Sequence, residues 1–245
     1  MTNSGGSEAT GVDPRTYYDR FAPGYEGRGR RNYHDLVDEI EVAMTLPFAR
    51  GRRVLEVGCG TGLILNRISQ VALHCEGIDL SDGMLAQARK RGLQVRQGSA
   101  TDLPYPDASF DLCYSFKVLS HVPDIARAFA EMARVTRPGG TVLAELYNRH
   151  SLRWLARRLR GGRAVAEGLH DDELWTRFYS PAEMKALMPG SLEPRGLRGV
   201  RVLTAHPAML DLPLLGAGLA WAERRSVQGP LARFGGFLVL EGRRR

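Results

Sequence analysis

The first feature that could do chemistry is a glycine-rich segment, Val54-Leu55-Glu56-Val57-Gly58-Cys59-Gly60-Thr61-Gly62. Glycine at every second position removes the Cβ atoms that would keep a ligand away from the backbone. Dinucleotide-binding enzymes use a related strand-to-helix turn, but their spacing is Gly-x-Gly-x-x-Gly. Here the spacing is Gly-x-Gly-x-Gly, and an acid, Glu56, precedes the first glycine. The segment therefore predicts a site at which a nucleotide-like ligand lies against main-chain N–H groups.

A carboxylate ends the next apolar run, as Asp79 in Gly77-Ile78-Asp79-Leu80-Ser81. A carboxylate at this place can accept hydrogen bonds from both hydroxyls of a ribose. The alternative is that Asp79 caps the helix that follows, but Ser81 is better placed for that role. Ribose binding is therefore the preferred interpretation.

The elements that must position these residues alternate between short apolar runs and helical patterns. Helices are predicted at Gly62–Val71, Asp82–Arg91 and Pro123–Thr136. Strands are predicted at Arg53–Val57, His74–Leu80, Leu93–Gln97, Phe110–Phe116 and Thr141–Leu146. Such alternation predicts parallel βαβ units in a doubly wound α/β sheet. Ligands of such sheets bind beyond the carboxyl ends of the strands, where the strand order reverses.

Helical patterns also flank this core. Before it, Pro14–Tyr25 and Tyr33–Phe48 are predicted to be helices. After it, Ser151–Leu159 is predicted to be an amphipathic helix, and Ser180-Pro181-Ala182-Glu183 has the pattern of a capping box. Strands are expected at Leu197–Leu203 and Phe237–Leu240, with an apolar helix between them at about Ala208–Arg224.

Further motifs follow the first two in a fixed order. They are Gln97-Gly98-Ser99-Ala100-Thr101-Asp102, Ser115-Phe116-Lys117-Val118-Leu119-Ser120-His121 and Arg134-Val135-Thr136-Arg137-Pro138-Gly139-Gly140. Together these motifs resemble the class I S-adenosylmethionine-dependent methyltransferases, in their ubiquinone/menaquinone-type, small-molecule branch. The resemblance covers about residues 52–147.

The resemblance implies a Rossmann-like, mostly parallel seven-stranded sheet with helices on both faces, and helical insertions over the ligand edge. It implies S-adenosyl-L-methionine as cofactor and S-adenosyl-L-homocysteine as product. The cofactor contacts that it implies are Tyr25, Glu56, Gly58, Cys59, Gly60, Gly62, Asp79, Leu80, Met84, Ser99, Ala100 and Phe116. The family usually has an acid where this sequence has Ser99, whose hydroxyl would accept more weakly from the adenine amino group.

The segment Tyr17–Tyr25 resembles the part of the family that folds over the cofactor, and this would bring Tyr25 near the methionine moiety. The alternative is a tyrosine that only holds a helix against the sheet. If a general base exists, His121 is the candidate, because an imidazole pKa near about 6.5 suits proton removal at neutral pH. A structural histidine is the alternative for His121. His170 and His206 are weaker candidates.

Composition bounds the remaining possibilities. The 245 residues suit one methyltransferase domain at 13–245 after a disordered terminus at 1–12. Within it, 13–50 is a helical cover, 51–147 the cofactor-binding core, and 148–180 and 205–233 are insertions expected to form a substrate lid. The three cysteines lack a metal-ligand spacing, so no metal is expected. A cytoplasmic protein without a transmembrane segment is expected, as a monomer or homodimer.

The acceptor is less constrained. Residues 1–145 carry a net charge of −1 and residues 146–245 a net charge of +8, with an arginine run at 149–163. The apolar second insertion favours a small hydrophobic or aromatic acceptor with an O, N or C nucleophile, although this helix could simply pack in the core. The basic half favours instead RNA, or weak contact with a membrane surface, or only a solvated face. Nucleic acid is disfavoured because the Asp/Asn-Pro-Pro-Tyr/Phe element is missing. A protein that binds the cofactor without turnover is a further alternative.

Overall fold

One seven-stranded sheet organises the protein, whose computed structural model describes residues 13–25, 32–160, 164–166, 169–170 and 175–245. The strands are β1 (Arg53–Val57), β2 (His74–Asp79), β3 (Val95–Gln97), β4 (Phe110–Ser115), β5 (Thr136–Tyr147), β6 (Ala164–Ala166), β7 (Leu169–His170), β8 (Leu192–Val200) and β9 (Phe237–Arg244). The sheet order is β3-β2-β1-β4-β5-β9-β8, and β6 and β7 pair separately. Strands β1 to β5 are parallel, whereas β9 is antiparallel to both β5 and β8. This confirms the predicted Rossmann-like, mostly parallel α/β sheet.

Helices cover both faces of the sheet, as predicted. They are α1 (Pro14–Phe21), α2 (Asn32–Ala49), α3 (Leu63–Ser69), α4 (Asp82–Lys90), α5 (Ile125–Val135), α6 (Leu152–Arg160), α7 (Pro181–Ala186) and α8 (Leu215–Ser226). One apolar core joins the sheet to α5 and α7, and a second joins its other face to α2 and α3. Neighbouring residues of β1 enter opposite cores, as Val54 and Leu55 do, because successive side chains of a strand point to opposite faces. The chain order reverses between β1 and β4, so the ligand edge lies beyond their carboxyl ends.

The edge strand β8 corrects one prediction. It begins at Leu192, not at Leu197, and it ends at Val200 because Arg201 adopts a left-handed φ of 58°. The residues that the apolar pattern missed include Pro194, which lies at a bulge in the pairing with β9. Proline is tolerated in an edge strand, where a missing N–H donor leaves no partner unpaired. Pairing with β9, rather than apolar alternation, therefore defines this strand.

The second insertion is also different from the prediction of one apolar helix at about Ala208–Arg224. A 3-10 turn at Pro207–Asp211 is followed by Pro213 and by Leu214, whose φ is +61°, and only then does α8 begin. Proline has no N–H to donate to a continuing helix, so the helix is broken there. Leu214 is 93% exposed and Trp221 60% exposed. Neither the purely packed helix nor an enclosed apolar pocket describes these side chains.

The first insertion is a helix as predicted, but its faces are reversed relative to a simple amphipathic helix. Leu152 and Leu155 of α6 are 53% and 47% exposed. Arg153 instead turns inward, and its guanidinium lies 4.2 Å from the ring centroid of Tyr147 and 4.7 Å from that of Phe237. In the described parts of the chain, no helix is long and apolar enough to cross a membrane. The predicted disordered terminus at 1–12 lies outside the described residues.

A buried carboxylate holds the second insertion against the sheet. Glu223 of α8 is 1% exposed, and it accepts hydrogen bonds from three consecutive backbone N–H groups. Its Oε2 accepts from Val202 at 2.8 Å, and its Oε1 accepts from Leu203 at 2.8 Å and from both the backbone and the hydroxyl of Thr204. These donors lie where the chain leaves β8. Glu223 therefore fixes α8 to the end of the edge strand.

We expect Glu223→Gln to lower the free energy of unfolding by about 2–3 kcal/mol, because an amide offers one acceptor oxygen where the carboxylate offers two. The matched control is Glu39→Gln, which breaks an exposed ion pair between Glu39 and Arg224 of the same helix. That control should cost at most about 1 kcal/mol. Urea unfolding measures both, and equal losses would show that Glu223 is not an anchor.

Candidate functional site

The carboxylate of Asp79 connects two loops at the ligand edge. Its Oδ2 accepts a hydrogen bond from the backbone N–H of Gly60 at 2.8 Å, and its Oδ1 accepts one from Ser81 at 2.9 Å. Burial raises the pKa of Asp79, and the bonds from Ser81 and Gly60 oppose that rise. The hydroxyl of Ser81 accepts from Met84 N and caps α4, as predicted. Asp79 is therefore left to organise the ligand edge.

The glycine loop presents one open surface, at Gly60. A Cβ on Gly60 would meet no atom within 4 Å, whereas a Cβ on Gly58 would overlap the side chain of Val118 and one on Gly62 would overlap Leu93. All three glycines have a positive φ, at 77°, 53° and 81°. Gly58 and Gly62 are thus needed for packing as well as conformation. Gly60 is the position where the backbone faces space for a ligand.

The N-terminal helix α1 closes over this edge. Asp19 Oδ1 accepts from the hydroxyl of Ser81 at 2.6 Å and from the backbone of Gly83 at 3.0 Å, at the first turn of α4. These bonds hold the pKa of Asp19 below its usual range. The hydrogen-bond stabilisation from Asp19 is thus present above its ordinary pKa and is lost as pH falls through the lowered value. Tyr25 is 40% exposed, with its ring edge-on to Phe21 at 5.3 Å.

Tyr18 of α1 lies between the two halves of the edge. Burial raises the pKa of Tyr18 well above its usual value, and Tyr147, Tyr25, Tyr17 and Asp79 add to the rise in that order. The phenol is therefore close enough to sense both the end of β5 and the end of β2. Tyr18 brings an aromatic ring over the gap between them.

The third predicted region forms a tight turn. The hydroxyl of Ser99 lies 2.8 Å from that of Thr101 and accepts from Thr101 N at 3.2 Å. Arg127 Nε donates to Thr101 O at 2.7 Å, which ties the turn to α5. Ala100 packs partly buried against the core beside it. The turn is thus built independently of any ligand.

The remaining residues that the family resemblance singles out differ in exposure. Leu80 is 39% exposed beside Asp79. Met84, Phe116 and Cys59 are buried, and burial raises the pKa of the Cys59 thiol. The roles of these side chains toward the cofactor stay predictions.

Glu56, the acid of the glycine motif, lies in a buried polar cluster rather than on the open surface. Burial raises the pKa of Glu56 to about 8, although Tyr114 donates to its carboxylate at 2.9 Å. In the same cluster Lys117 Nζ lies 2.8 Å from Asp38 and 2.9 Å from Glu41 of α2. Burial alone would lower the pKa of Lys117, but Glu41 and Asp38 raise it well above its usual value. This ion pair pins the helical cover to the end of β4.

His121 is positioned by three parts of the chain. It ends the 3-10 turn Leu119–His121 after β4, and its Nε2 lies 3.1 Å from the hydroxyl of Tyr147, the last residue of β5. On the other side its Nδ1 lies 3.2 Å from the carbonyl oxygen of Trp175 and 3.0 Å from the hydroxyl of Thr176. The imidazole is thus held on both sides. His206 caps a 3-10 turn by accepting from Ala208 N, and the side chain of His170 lies outside the described residues.

Sequence reasoning missed four residues that build this edge. Asp19 and Tyr18 stand in a segment that was noted for Tyr25, and Tyr147 and Lys117 adjoin noted motifs. An acid one turn before aromatic residues is the signal that could have found Asp19, because a carboxylate is favoured at a helix N-terminus. For Tyr147 the signal was its position as the last apolar residue of a strand at the ligand edge.

Comparison with known proteins follows this geometry. Residues 55–144 match the family described as "Methyltransferase domain". A "Ubiquinone biosynthesis O-methyltransferase" of Hahella chejuensis is 31% identical over 190 residues, which cover 73% of this chain and 76% of the relative. The chain belongs to the S-adenosylmethionine-dependent methyltransferases.

Two other similarities agree with this family. A "Probable S-adenosylmethionine-dependent methyltransferase" of Mycolicibacterium smegmatis is 36% identical over 125 residues, and the match spans about half of each chain, at 50% of this one and 49% of the relative. A crystal structure of a methyltransferase from Thermotoga maritima, described as a possible histamine N-methyltransferase, has a TM-score of 0.69 and 23% identity. It covers 94% of this chain and 99% of the other, and it shows the shared fold.

The residues of the edge fit the cofactor of a methyltransferase. S-adenosylmethionine carries a positive sulfonium and ribose hydroxyls, and the Asp79 carboxylate retains lone pairs for hydroxyl donors. A phosphate-binding loop would turn its N–H groups toward the ligand, but the N–H of Gly60 donates to Asp79. The loop therefore suits a cationic nucleoside better than a pyrophosphate.

The open surface at Gly60 gives a direct test with a matched control. We expect Gly60→Val to lower S-adenosylmethionine affinity by at least ~100-fold, because the added side chain fills the ligand space. Gly51→Val is the control, since Gly51 also has a positive φ, of 66°, and no atom within 4 Å of a Cβ, but lies before β1. Both variants should lose about 1–2 kcal/mol of stability from backbone strain.

Calorimetric titration of the two glycine variants with S-adenosylmethionine separates strain from lost contact. Wild-type affinity in Gly51→Val beside no binding in Gly60→Val is the expected pair of results. Equal losses in both would remove the glycine loop from the cofactor site.

Proposed function

We propose that this chain transfers a methyl group from S-adenosylmethionine to a nucleophile on a small, apolar or aromatic molecule. The observation that carries the proposal is the aromatic lining beside Asp79. Tyr18 is close to Tyr147, Tyr25 and Asp79 at once, so rings lie beside the carboxylate that would bind the ribose. Flat rings favour a flat or apolar acceptor, through stacking and burial of apolar surface. The named activity of the Hahella relative, an O-methyltransferase of ubiquinone biosynthesis, agrees with an aromatic acceptor.

For the cofactor, each part of the edge has a distinct task in this proposal. Asp79 would accept from the ribose hydroxyls, Gly60 would leave room for the nucleoside, and Ser99 and Ala100 would adjoin the adenine. The cofactor supplies a methyl group that its sulfonium already activates. The chain then has to align the acceptor, exclude water and accept a proton where the nucleophile carries one. Asp19 assists by holding α1 over the edge.

RNA is the second candidate acceptor, and contacts of the arginine run weaken it. Arg149 pairs with Glu183 at 2.8 Å, and Arg158 lies over the ring of Trp154 at 5.3 Å. Arg153 is turned inward onto Tyr147. These contacts occupy three of the six guanidinium groups that the sequence offered to phosphates. A solvated phosphate-binding face would leave them available to the ligand.

Salt dependence tests the acceptor class. We expect methyl transfer to the small-molecule acceptors to change only a few-fold between roughly 50 and 200 mM salt, because burial of apolar surface is not screened. Several phosphate contacts would cost ~10³ or more over that range. Transfer of a labelled methyl group is measured against phenols, catechols and hydroquinones, and against total RNA. Activity on RNA alone that collapses with salt would overturn the small-molecule proposal.

A further inference from the structure

The hydrogen bonds around His121 define which of its nitrogens carries the proton. A carbonyl oxygen can only accept, so the 3.2 Å contact with Trp175 O requires a hydrogen on Nδ1. The opposite tautomer would set a lone pair of the ring against the carbonyl oxygen. In the neutral ring Nε2 then carries the lone pair, and it accepts from the hydroxyl of Tyr147 at 3.1 Å. The direction of this chain is from Tyr147 to His121 to Trp175.

The backbone fixes both partners of this chain of hydrogen bonds. Tyr147 N donates to the hydroxyl of Ser120 at 2.8 Å, directly beside His121 in sequence. The segment that carries Trp175 and Thr176 is tied to the same two strand ends, because Arg177 N donates to Ser120 O and Tyr179 N donates to Tyr147 O. Three separate elements thus converge on one imidazole–phenol pair. A histidine that only filled space would not need this arrangement.

The hydroxyl of Tyr147, rather than His121, is the end of the chain that meets the ligand edge. Tyr147 is the last residue of β5, at the carboxyl ends of the parallel strands, and it is 8% exposed beneath Tyr18 of α1. His121 Nε2 lies behind that hydroxyl and is engaged by it. An acceptor bound beside Asp79 would therefore meet the phenol oxygen before it met the imidazole.

The charges around Tyr147 favour passage of a proton through its oxygen. Burial raises the pKa of Tyr147 first, Arg153 lowers it, Glu145 raises it and Lys117 lowers it. The guanidinium of Arg153 lies 4.2 Å from the ring centroid, and its buried Nη1 makes no hydrogen bond within the described residues. This positive charge stabilises negative charge that develops on the phenol. The titratable side chains facing Tyr147 are Arg153 from α6, Tyr18 from α1, His121, Glu145 and Lys117.

We propose that the acceptor is a hydroxyl compound and that Tyr147 is a catalytic residue that relays its proton to His121. In the step, the O–H bond of the acceptor breaks and its proton passes to the Tyr147 oxygen, while the Tyr147 proton passes to His121 Nε2. The acceptor oxygen keeps the electron pair and becomes the nucleophile, and His121 ends as an imidazolium that later releases its proton to water. This inference rests on the proposed function. It adds the nucleophile and assigns His121 a role through Tyr147.

The first measurement needs no acceptor. Nitrogen-15 NMR of histidine-labelled protein, with the His121→Asn variant to assign the signal, reports which nitrogen is protonated. At about pH 8 we expect neutral His121 with hydrogen on Nδ1 and a bare Nε2. Tyr147→Phe should shift the Nε2 signal because its hydrogen-bond donor is lost. Hydrogen on Nε2, or an unchanged signal in Tyr147→Phe, would overturn the relay.

The second measurement uses the ionisation of the acceptor. Phenols with a pKa of about 10 must lose a proton during transfer, whereas nitrophenols are already largely ionised at about pH 8. We expect Tyr147→Phe to lower kcat/KM by ~10²-fold or more for the first group, and by less than about threefold for the nitrophenols. His121→Asn should give the same split, and the pH dependence of kcat should flatten in both variants. Equal losses on all phenols would overturn the relay in favour of a structural role.

The matched control is Tyr179→Phe. Tyr179 is also a buried tyrosine with an arginine over its ring, Arg177 at 5.0 Å, but its hydroxyl makes no hydrogen bond within the described residues. This variant should leave both groups of phenols unaffected. Calorimetry should give S-adenosylmethionine affinities within about twofold of wild type for every variant. If the wild type binds S-adenosylmethionine but methylates none of the phenols, the hydroxyl acceptor is wrong, while absent binding would overturn the proposed function itself.

Discussion

The ligand edge depends on one carboxylate that joins two loops. Asp79 accepts hydrogen bonds from Gly60 and from Ser81, so the turn after β1 and the turn after β2 keep a fixed separation. The same contact turns the Gly60 N–H away from a ligand, which distinguishes this loop from one that binds phosphate. Ser81 then extends the connection to Asp19, and through it to α1. The cofactor site and its cover are consequently parts of one hydrogen-bonded unit.

On the other side of the edge the insertions contribute by anchoring rather than by enclosing. Glu223 fixes α8 to the end of β8, and Arg153 packs on the ring of Tyr147. Charge that the sequence presents as a basic run is thus partly used inside the protein. This explains why the net charge of the C-terminal half is a poor guide to the acceptor. The position of an arginine relative to aromatic rings matters more than the number of arginines.

The sequence predicted the parts of the fold whose signals are local. The glycine spacing, Asp79 with Ser81, and the capping box at Ser180 each involve neighbours in the chain, and the structure has the strand-to-helix turn, the cap of α4 and the capping box as expected. Other features depend on contacts between distant residues. Apolar periodicity could not find the start of β8 at Leu192, because pairing with β9 defines it. Nor could it find that Arg153 turns inward, or that Tyr147 meets His121, since the partners are far apart in sequence.

The central claim is that Asp79 organises a site for S-adenosylmethionine, and calorimetric titration tests it most directly. Wild type, Asp79→Ala and Asp82→Ala are titrated with S-adenosylmethionine and with NAD. Asp82 is a matched control, because it is an exposed acid of the same helix start that pairs with Arg89. The account predicts binding of S-adenosylmethionine and not NAD, a loss of roughly 2–4 kcal/mol in Asp79→Ala, and little change in Asp82→Ala. An Asp79→Ala affinity within about twofold of wild type, or tighter binding of NAD, would contradict it.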